Sequence, residues 1–275
     1  MSNLATRAIF GALYAALILA ALLLGSTSLY LAVFGVLVFL ANWEFSNLVS
    51  THRIYPLRRI TDAVAAVYLF WATQCIATEG LGATIYLLPY AAFLLYSLVR
   101  SLYSERELMP GDLAKVVFGQ IYTGGFLSIA HLLHGTQMSS GYSLLFLAFI
   151  AIWVNDSGAY LAGSQLGRHK LFPSLSPNKS WEGFVGGFIA TVLVSYFLME
   201  GSLLGLVYGA VISVAATWGD LFESMLKRKA GVKDSGKVIP GHGGILDRID
   251  SLLFVLPFLA FVEWIIYVYQ HLHLS

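Results

Sequence analysis

Charge is scarce in this chain. Asp, Glu, Lys and Arg together make up 11% of its 275 residues, where a soluble domain carries about 25%. Hydrophobic residues reach 58% and the mean hydropathy is +0.75, a composition that excludes a water-exposed globular fold and belongs in a bilayer. Cysteine is almost absent. The single Cys75 lies in an apolar run, which excludes a disulfide framework and a thiolate metal site and leaves it as a small core filler. A net charge of +1 supplies neither a basic nor an acidic tail, and no nucleic-acid partner is expected. No internal repeat, low-complexity tract or soluble domain is visible.

What is abundant is long apolar runs. They fall at 8–25, 28–49, 60–78, 81–99, 113–134, 142–163, 182–199, 202–219 and 251–270, each long enough for a hydrocarbon core of about 30 Å. The first follows one basic residue but leads into Gly25-Ser26-Thr27-Ser28, a poor cleavage site, so it reads as a retained helix rather than a signal peptide. The fifth is interrupted by Gln120, Thr123, Gly124, Gly125, Ser128 and His131, which suits a helix facing other helices. The expected fold is an all-α, polytopic bundle of about nine transmembrane helices. It forms one transmembrane domain over 1–275, with helices one to five in 1–135 as scaffold and helices six to nine in 142–275. Placing the N-terminus in the cytoplasm puts all 16 Lys and Arg residues on one side, as the positive-inside rule requires. The outer loops are tiny, Glu200-Gly201-Ser202 being nearly the whole of one. The long polar segments 164–181 and 219–250 are both cytoplasmic, and the chemistry is expected there.

From Trp218 the chain reads WGDLFESMLKRKAGVKDSGKVIPGHGGILDRIDS. On a helix Asp220, Ser224 and Lys227 share one face, with Glu223 beside them. A carboxylate, a hydroxyl and an ammonium so arranged suit a metal ion together with a phosphate; they suit equally a solvated helix end leaving the membrane. Pro240-Gly241-His242-Gly243-Gly244 then precedes a helix. Glycines let N–H groups turn toward an anion, and a helix N-terminus favours negative charge. Asp247 and Asp250 stand three apart on the first turn of that helix, where they either complement its dipole or bind a cation. Carboxylates at the mouth of a membrane helix are costly unless paired or metal-bound. His242 reads as a turn residue or a ligand, and a zinc site is not expected without Cys or His neighbours.

The run Ser224-x-x-Lys227-Arg228, Lys233-Asp234, Pro240-Gly241-His242-Gly243-Gly244-x-x-Asp247-Arg248-x-Asp250 resembles the hallmark motif of phosphatidate cytidylyltransferases, the CDP-diacylglycerol synthases, in residue type and spacing. Asp156-Ser157-Gly158-Ala159-Tyr160, Ser176-Pro177-Asn178-Lys179-Ser180-Trp181-Glu182-Gly183 and Gly219-Asp220 resemble further blocks of the family. The family more often has Lys at the place of Asn178 and Thr at that of Ser180. The resemblance is strong in the C-terminal half, whereas the N-terminal half matches only as a hydrophobic bundle.

The resemblance implies condensation of CTP with phosphatidic acid to CDP-diacylglycerol and pyrophosphate. The lipid phosphate is then the nucleophile, so no Ser, Cys or His nucleophile is needed. It implies Mg²⁺ with room for a second cation such as K⁺, a homodimer, and a multi-pass protein of the inner (cytoplasmic) membrane with its site facing the cytoplasm. Asp220 and Asp247 are expected as metal ligands, with Asp250 a ligand or an orienter of one. Lys227, Arg228, Lys233 and Arg248 are expected to neutralise phosphates, Ser224 to orient a phosphate or a metal-bound water, and Gly241, His242, Gly243 and Gly244 to cradle them. Asp156, Lys179 and Glu182 are expected to complete the pocket wall. For the dimer the sequence offers one hint, the glycines of the helix from Gly183 to Gly187. Alternatives are a cytidylyltransferase for isoprenoid ether lipids, a CTP-dependent polyprenol kinase and, outside enzymes, a transporter. The multi-Asp motif of CDP-alcohol phosphotransferases is not seen.

Overall fold

In the computed structural model, residues 3–49, 56–103, 110–236, 238 and 243–273 are described. They form helices α1 (Asn3–Leu23), α2 (Thr27–Val49) and α3 (Pro56–Glu79), a 3₁₀ segment (Leu81–Leu87), and α4 (Leu88–Tyr103). Next come α5 (Pro110–Gly119), a π-helical turn (Gln120–Gly125), α6 (Phe126–Ser128) and α7 (Ala130–Gly135). Helix α8 (Leu144–Leu166), strands β1 (Lys170–Phe172) and β2 (Ser176–Ser180), α9 (Trp181–Leu198), α10 (Leu203–Lys229) and α11 (Leu246–His273) complete the order. Among the described residues eight helical stretches are long and apolar enough to cross a bilayer. The first expected span is α1, whose apolar stretch Ile9–Leu23 reaches only about 22 Å at 1.5 Å per residue. The protein is therefore a polytopic helical membrane protein. It divides into two compact units, Met1–His131 with Ala230–Arg248, and Leu132–Lys229 with Ile249–Ser275.

The first unit is organised on α2, which buries Tyr30, Val33, Phe34, Leu37, Val38, Ala41, Asn42, Phe45 and Leu48, three and four apart along one stripe. The interrupted fifth span packs inward as its polar residues suggested: Gln120, Thr123 and Gly124 are buried, and His131 is buried as well. A π-turn loosens the backbone ladder, and freed carbonyls in a membrane need partners. Asn42 supplies one, donating from Nδ2 to the Gly119 carbonyl (3.3 Å) and to Thr123 Oγ1 (2.9 Å). His131 is structural. The Phe70 carbonyl can only accept, so Nε2 carries the proton toward it (2.8 Å) and Nδ1 accepts from the Tyr30 hydroxyl (3.0 Å). On α4 no residue is buried, and Leu88, Leu95, Leu98, Val99 and Leu102 are exposed, an apolar surface that a lipid environment accommodates and water does not.

The second unit holds α8, α9 and α10 close together. A Cβ at Gly187 would stand 2.8 Å from the Asn155 carbonyl, and one at Gly183 would stand 2.9 Å from the Ala159 carbonyl. The glycines of α9 thus bring its backbone onto α8, because in lipid helices associate through close packing rather than through the hydrophobic effect. The close helix packing expected of the Gly183–Gly187 stretch is met within the chain, where Gly183 and Gly187 approach α8. Ser143 and Ser180 cap α8 and α9, accepting from the N–H groups of Phe146 (3.2 Å) and Gly183 (3.1 Å), and a threonine at 180 would do the same. The segment expected as a loop over 164–181 contains an antiparallel hairpin, with Lys170 opposite Ser180 and Phe172 opposite Ser176. The 219–250 segment also divides, since α10 continues as helix to Lys229. Its 27 residues extend about 40 Å, more than the hydrocarbon core, so one end stands outside the bilayer.

Candidate active site

The hairpin and the crossing of α8, α9 and α10 create a cleft of about 510 Å³ in the second unit. Asp156 from α8, Lys179 from β2 and Asp220 from α10 all line it, joining three motif blocks that are far apart in sequence. Lys179 Nζ pairs with the Asp220 carboxylate, the two side chains being 28% and 33% exposed. Asn155 lies at the buried side of the cleft. Its Oδ1 accepts from Ser213 Oγ (2.6 Å) and Thr191 Oγ1 (3.4 Å), a polar network joining the three helices that the sequence reading missed.

Farther along α10, Ser224 Oγ donates to Asp220 Oδ1 (3.3 Å). Lys227 Nζ pairs with Glu223 at 2.6 Å, and Glu223 is fully buried. Arg228 donates from Nε to the Leu175 carbonyl at the hairpin tip (3.4 Å). It therefore has a second use besides the phosphate contact expected of it, since it ties the hairpin to α10. Glu182 acts on the other hairpin end. It accepts from the N–H groups of Arg168 (3.1 Å) and His169 (3.2 Å), and from His169 Nδ1 (2.6 Å). With the α9 cap at Ser180, this sets the direction in which β2 delivers Lys179. Glu182 was expected in the pocket wall, whereas its carboxylate holds the turn that builds the wall.

Asp250 on α11 is half-buried, and Asp220, Glu223 and Asp156 are the acidic groups that act on it electrostatically. Four carboxylates are thus drawn together with the ammonium groups of Lys179 and Lys227. The remaining excess is negative, and every donor is a hard oxygen, which fits Mg²⁺ rather than zinc. Among the described residues no three His, Cys, Asp or Glu side chains form a cage on their own.

The first unit carries Lys233, Gly243, Gly244, Asp247 and Arg248; Gly241 and His242 lie outside the described residues. Lys233 and Arg248 are exposed. Asp247 Oδ2 accepts from the N–H groups of Ser235 (3.0 Å) and Gly244 (2.8 Å). The Gly244 N–H, expected to cradle a phosphate, is thus taken by the chain's own carboxylate. Gly243 has φ 81°, which glycine adopts without strain. Glu44 on α2 is the second residue that the sequence reading missed. It is 2% exposed, and its Oε2 accepts from the Leu246 N–H (2.8 Å) and from Ser235 Oγ (3.2 Å). A lone carboxylate inside the apolar run 28–49 was the available signal.

Within this helical membrane protein the cleft offers carboxylate oxygens and a lysine ammonium, a donor set suited to a cation and to anionic groups. Residues 5–266 match the cytidylyltransferase family, and the chain belongs to it. The chain is 47% identical over 127 residues to a phosphatidate cytidylyltransferase of Staphylococcus saprophyticus, an alignment that covers 44% of this chain and 49% of that one. To the protein of the same name from Bacillus subtilis it is 52% identical over 128 residues, covering 44% and 48%. To that of Staphylococcus haemolyticus it is 44% identical over 140 residues, covering 49% and 54%. The chain spans about half the length of the curated relatives it matches.

Proposed function

We propose that the chain is a phosphatidate cytidylyltransferase, a nucleotidyltransferase that converts CTP and phosphatidic acid into CDP-diacylglycerol and pyrophosphate for phospholipid synthesis. The observation that carries this reading is the cleft in which Asp156, Lys179 and Asp220 meet; family membership and the named relatives support it. A phosphate oxygen of the lipid attacks the α-phosphorus of CTP. The bond from that phosphorus to the oxygen bridging to the β-phosphate breaks, and pyrophosphate leaves with the electron pair. No protein nucleophile takes part. What the protein supplies is alignment of the two reactants and charges placed where negative charge shifts. Lys179 moves from Asp220 toward a phosphate when CTP enters, and Lys227 and Arg228 of the same unit offset further phosphate charge. Asp220 and Asp250 would hold Mg²⁺, which would supply neutralisation of phosphate charge; in the first unit Asp247 is proposed as a metal ligand, and Lys233 and Arg248 as phosphate partners, on the motif resemblance alone.

The proposed orientation places the N-terminus and the charged end of α10 in the cytoplasm of a bacterial cell, at the inner membrane. CTP then arrives from water while the diacyl tails stay in lipid. The test uses protein in detergent with CTP labelled at the α-phosphate and with phosphatidic acid, with and without Mg²⁺. The expected result is label entering the lipid phase, with pyrophosphate released, only when Mg²⁺ is present. Transfer to an isoprenoid acceptor instead, or release of CDP from γ-labelled CTP, overturns the assignment in favour of an ether-lipid enzyme or a prenol kinase.

A further inference from the structure

We propose that Glu44 is a positioning residue for residues 235–236 and 244–248: its buried carboxylate is the post against which Ser235, Gly236, Gly244 and Leu246 are set, and it thereby fixes how Asp247 and Arg248 are presented. The functional half of this inference rests on the cytidylyltransferase reading; the structural half does not. Glu44 sits in the last two turns of α2, whose sequence holds no other acidic residue, at 2% exposure. A carboxylate is not kept in such a place without donors. Among the described residues the donors are the Leu246 N–H at 2.8 Å, Ser235 Oγ at 3.2 Å, and the backbone N–H of Ile245.

The segment is shaped to this side chain. A Cβ at Gly236 would run into Glu44 Oε1, and one at Gly244 would run into Oε2. The same segment closes on Asp247 from the other direction, through the Ser235 and Gly244 N–H groups. Ser235 is therefore gripped twice, by its hydroxyl on Glu44 and by its amide on Asp247. Leu246, whose amide Glu44 holds, is the residue before Asp247 and opens α11. A shift of the loop around Glu44 accordingly moves the turn that carries Asp247 and Arg248.

Glu44 Oε2 accepts both the Leu246 and the Ser235 bonds, so glutamine can keep a carbonyl oxygen there and serves as the conservative control, whereas alanine removes the acceptor. In Glu44→Ala, amide hydrogen exchange at Ile245 and Leu246 in detergent is expected to rise at least about 10-fold, with Glu44→Gln closer to wild type. The kcat for transfer to phosphatidic acid is expected to fall about 10- to 100-fold, with the KM for CTP within about threefold, because misplacement of a catalytic group by about 1 Å acts on turnover. Gly236→Ala tests the same grip from the loop side and is needed if Glu44→Ala does not fold. It should accelerate exchange at Ile245 and Leu246 and lower kcat in the wild type. In the Glu44→Ala background, where the obstructing carboxylate is gone, it should cost less than about twofold more.

Unchanged exchange in Glu44→Ala, or equal cost of Gly236→Ala in both backgrounds, overturns the grip. Faster exchange with unchanged kcat overturns the positioning role, and a raised KM for CTP with unchanged kcat replaces it by direct substrate binding. Exchange needs no substrate, so a protein that does not use CTP would refute the proposed function and leave the Glu44 grip to be decided separately.

Discussion

Lys179→Met separates a catalytic lysine from one that merely balances Asp220. In the resting protein its ammonium pairs with Asp220, both side chains being about one-third exposed. A pair that wet contributes at most about 1 kcal/mol to folding, so the thermal midpoint in detergent should move by no more than a few degrees. The transition state is another matter. A charge-assisted hydrogen bond from Lys179 to a phosphate oxygen in a cleft shielded by three helices contributes about 1.5–3 kcal/mol. At 1.36 kcal/mol per tenfold, losing it lowers kcat/KM for CTP by roughly 10- to 150-fold. Initial rates of pyrophosphate release at saturating phosphatidic acid measure this. Asp220→Asn in the same background completes the cycle: if the residues act on one bound nucleotide, the double variant loses less than the two single losses multiplied together. A kcat/KM within twofold of wild type in Lys179→Met, with the fold intact, would refute the reasoning and reduce Lys179 to a topological charge.

Three further outcomes are expected. Asp247→Asn keeps a carbonyl oxygen for the Ser235 and Gly244 amides, so it should fold and melt like wild type yet lose Mg²⁺-dependent turnover; Asp247→Ala leaves both amides without that acceptor and should lower stability as well, by about 1–3 kcal/mol. Comparing the thermal midpoints and rates of the two variants checks this. Gly187→Ala places a methyl 2.8 Å from the Asn155 carbonyl and should destabilise the α8–α9 contact by about 1–3 kcal/mol, read as a lower midpoint in detergent. Ser180→Ala removes the α9 cap at a cost of about 1 kcal/mol, whereas Ser180→Thr should be neutral in the same melt.

The spans were legible because period and length speak directly in an apolar chain. The interruptions at Gln120, Thr123 and Gly124 also announced an inward-facing helix. The π-turn that accompanies them was not announced, since the Gly119 carbonyl is satisfied both locally by the Thr123 hydroxyl and from a distant helix by Asn42. The hairpin at 170–180 was missed for a similar reason. Ser176-Pro177-Asn178-Lys179-Ser180 has little strand propensity, and its pairing is supported from outside by Glu182 and Arg228. In the site, the blocks around Asp156, Lys179 and Asp220 were identified through their resemblance to blocks of a known family. Their meeting in one cleft, and the use of Gly244 and Asp247 on each other, are three-dimensional facts that spacing does not contain.

Glycine and buried carboxylate solve one problem in this chain from two directions. Phosphate chemistry needs charges held still, yet a bilayer gives little hydrophobic force to hold polar helix ends together. In the second unit the α8 and α9 backbones meet through Gly183 and Gly187, and the Ser180 cap and the Glu182 turn fix the hairpin on that rigid crossing. In the first unit Gly236 and Gly244 yield their side-chain space to Glu44, so an irregular segment is held by two carboxylates rather than by a hydrophobic core. Lys179 on the hairpin and Asp247 beside the wrapped segment are thus both set by backbone fit. Methyl groups added at Gly187 or Gly236 should then impair turnover although neither glycine carries a functional group, whereas trimming a lipid-facing leucine of α4 such as Leu95 should not.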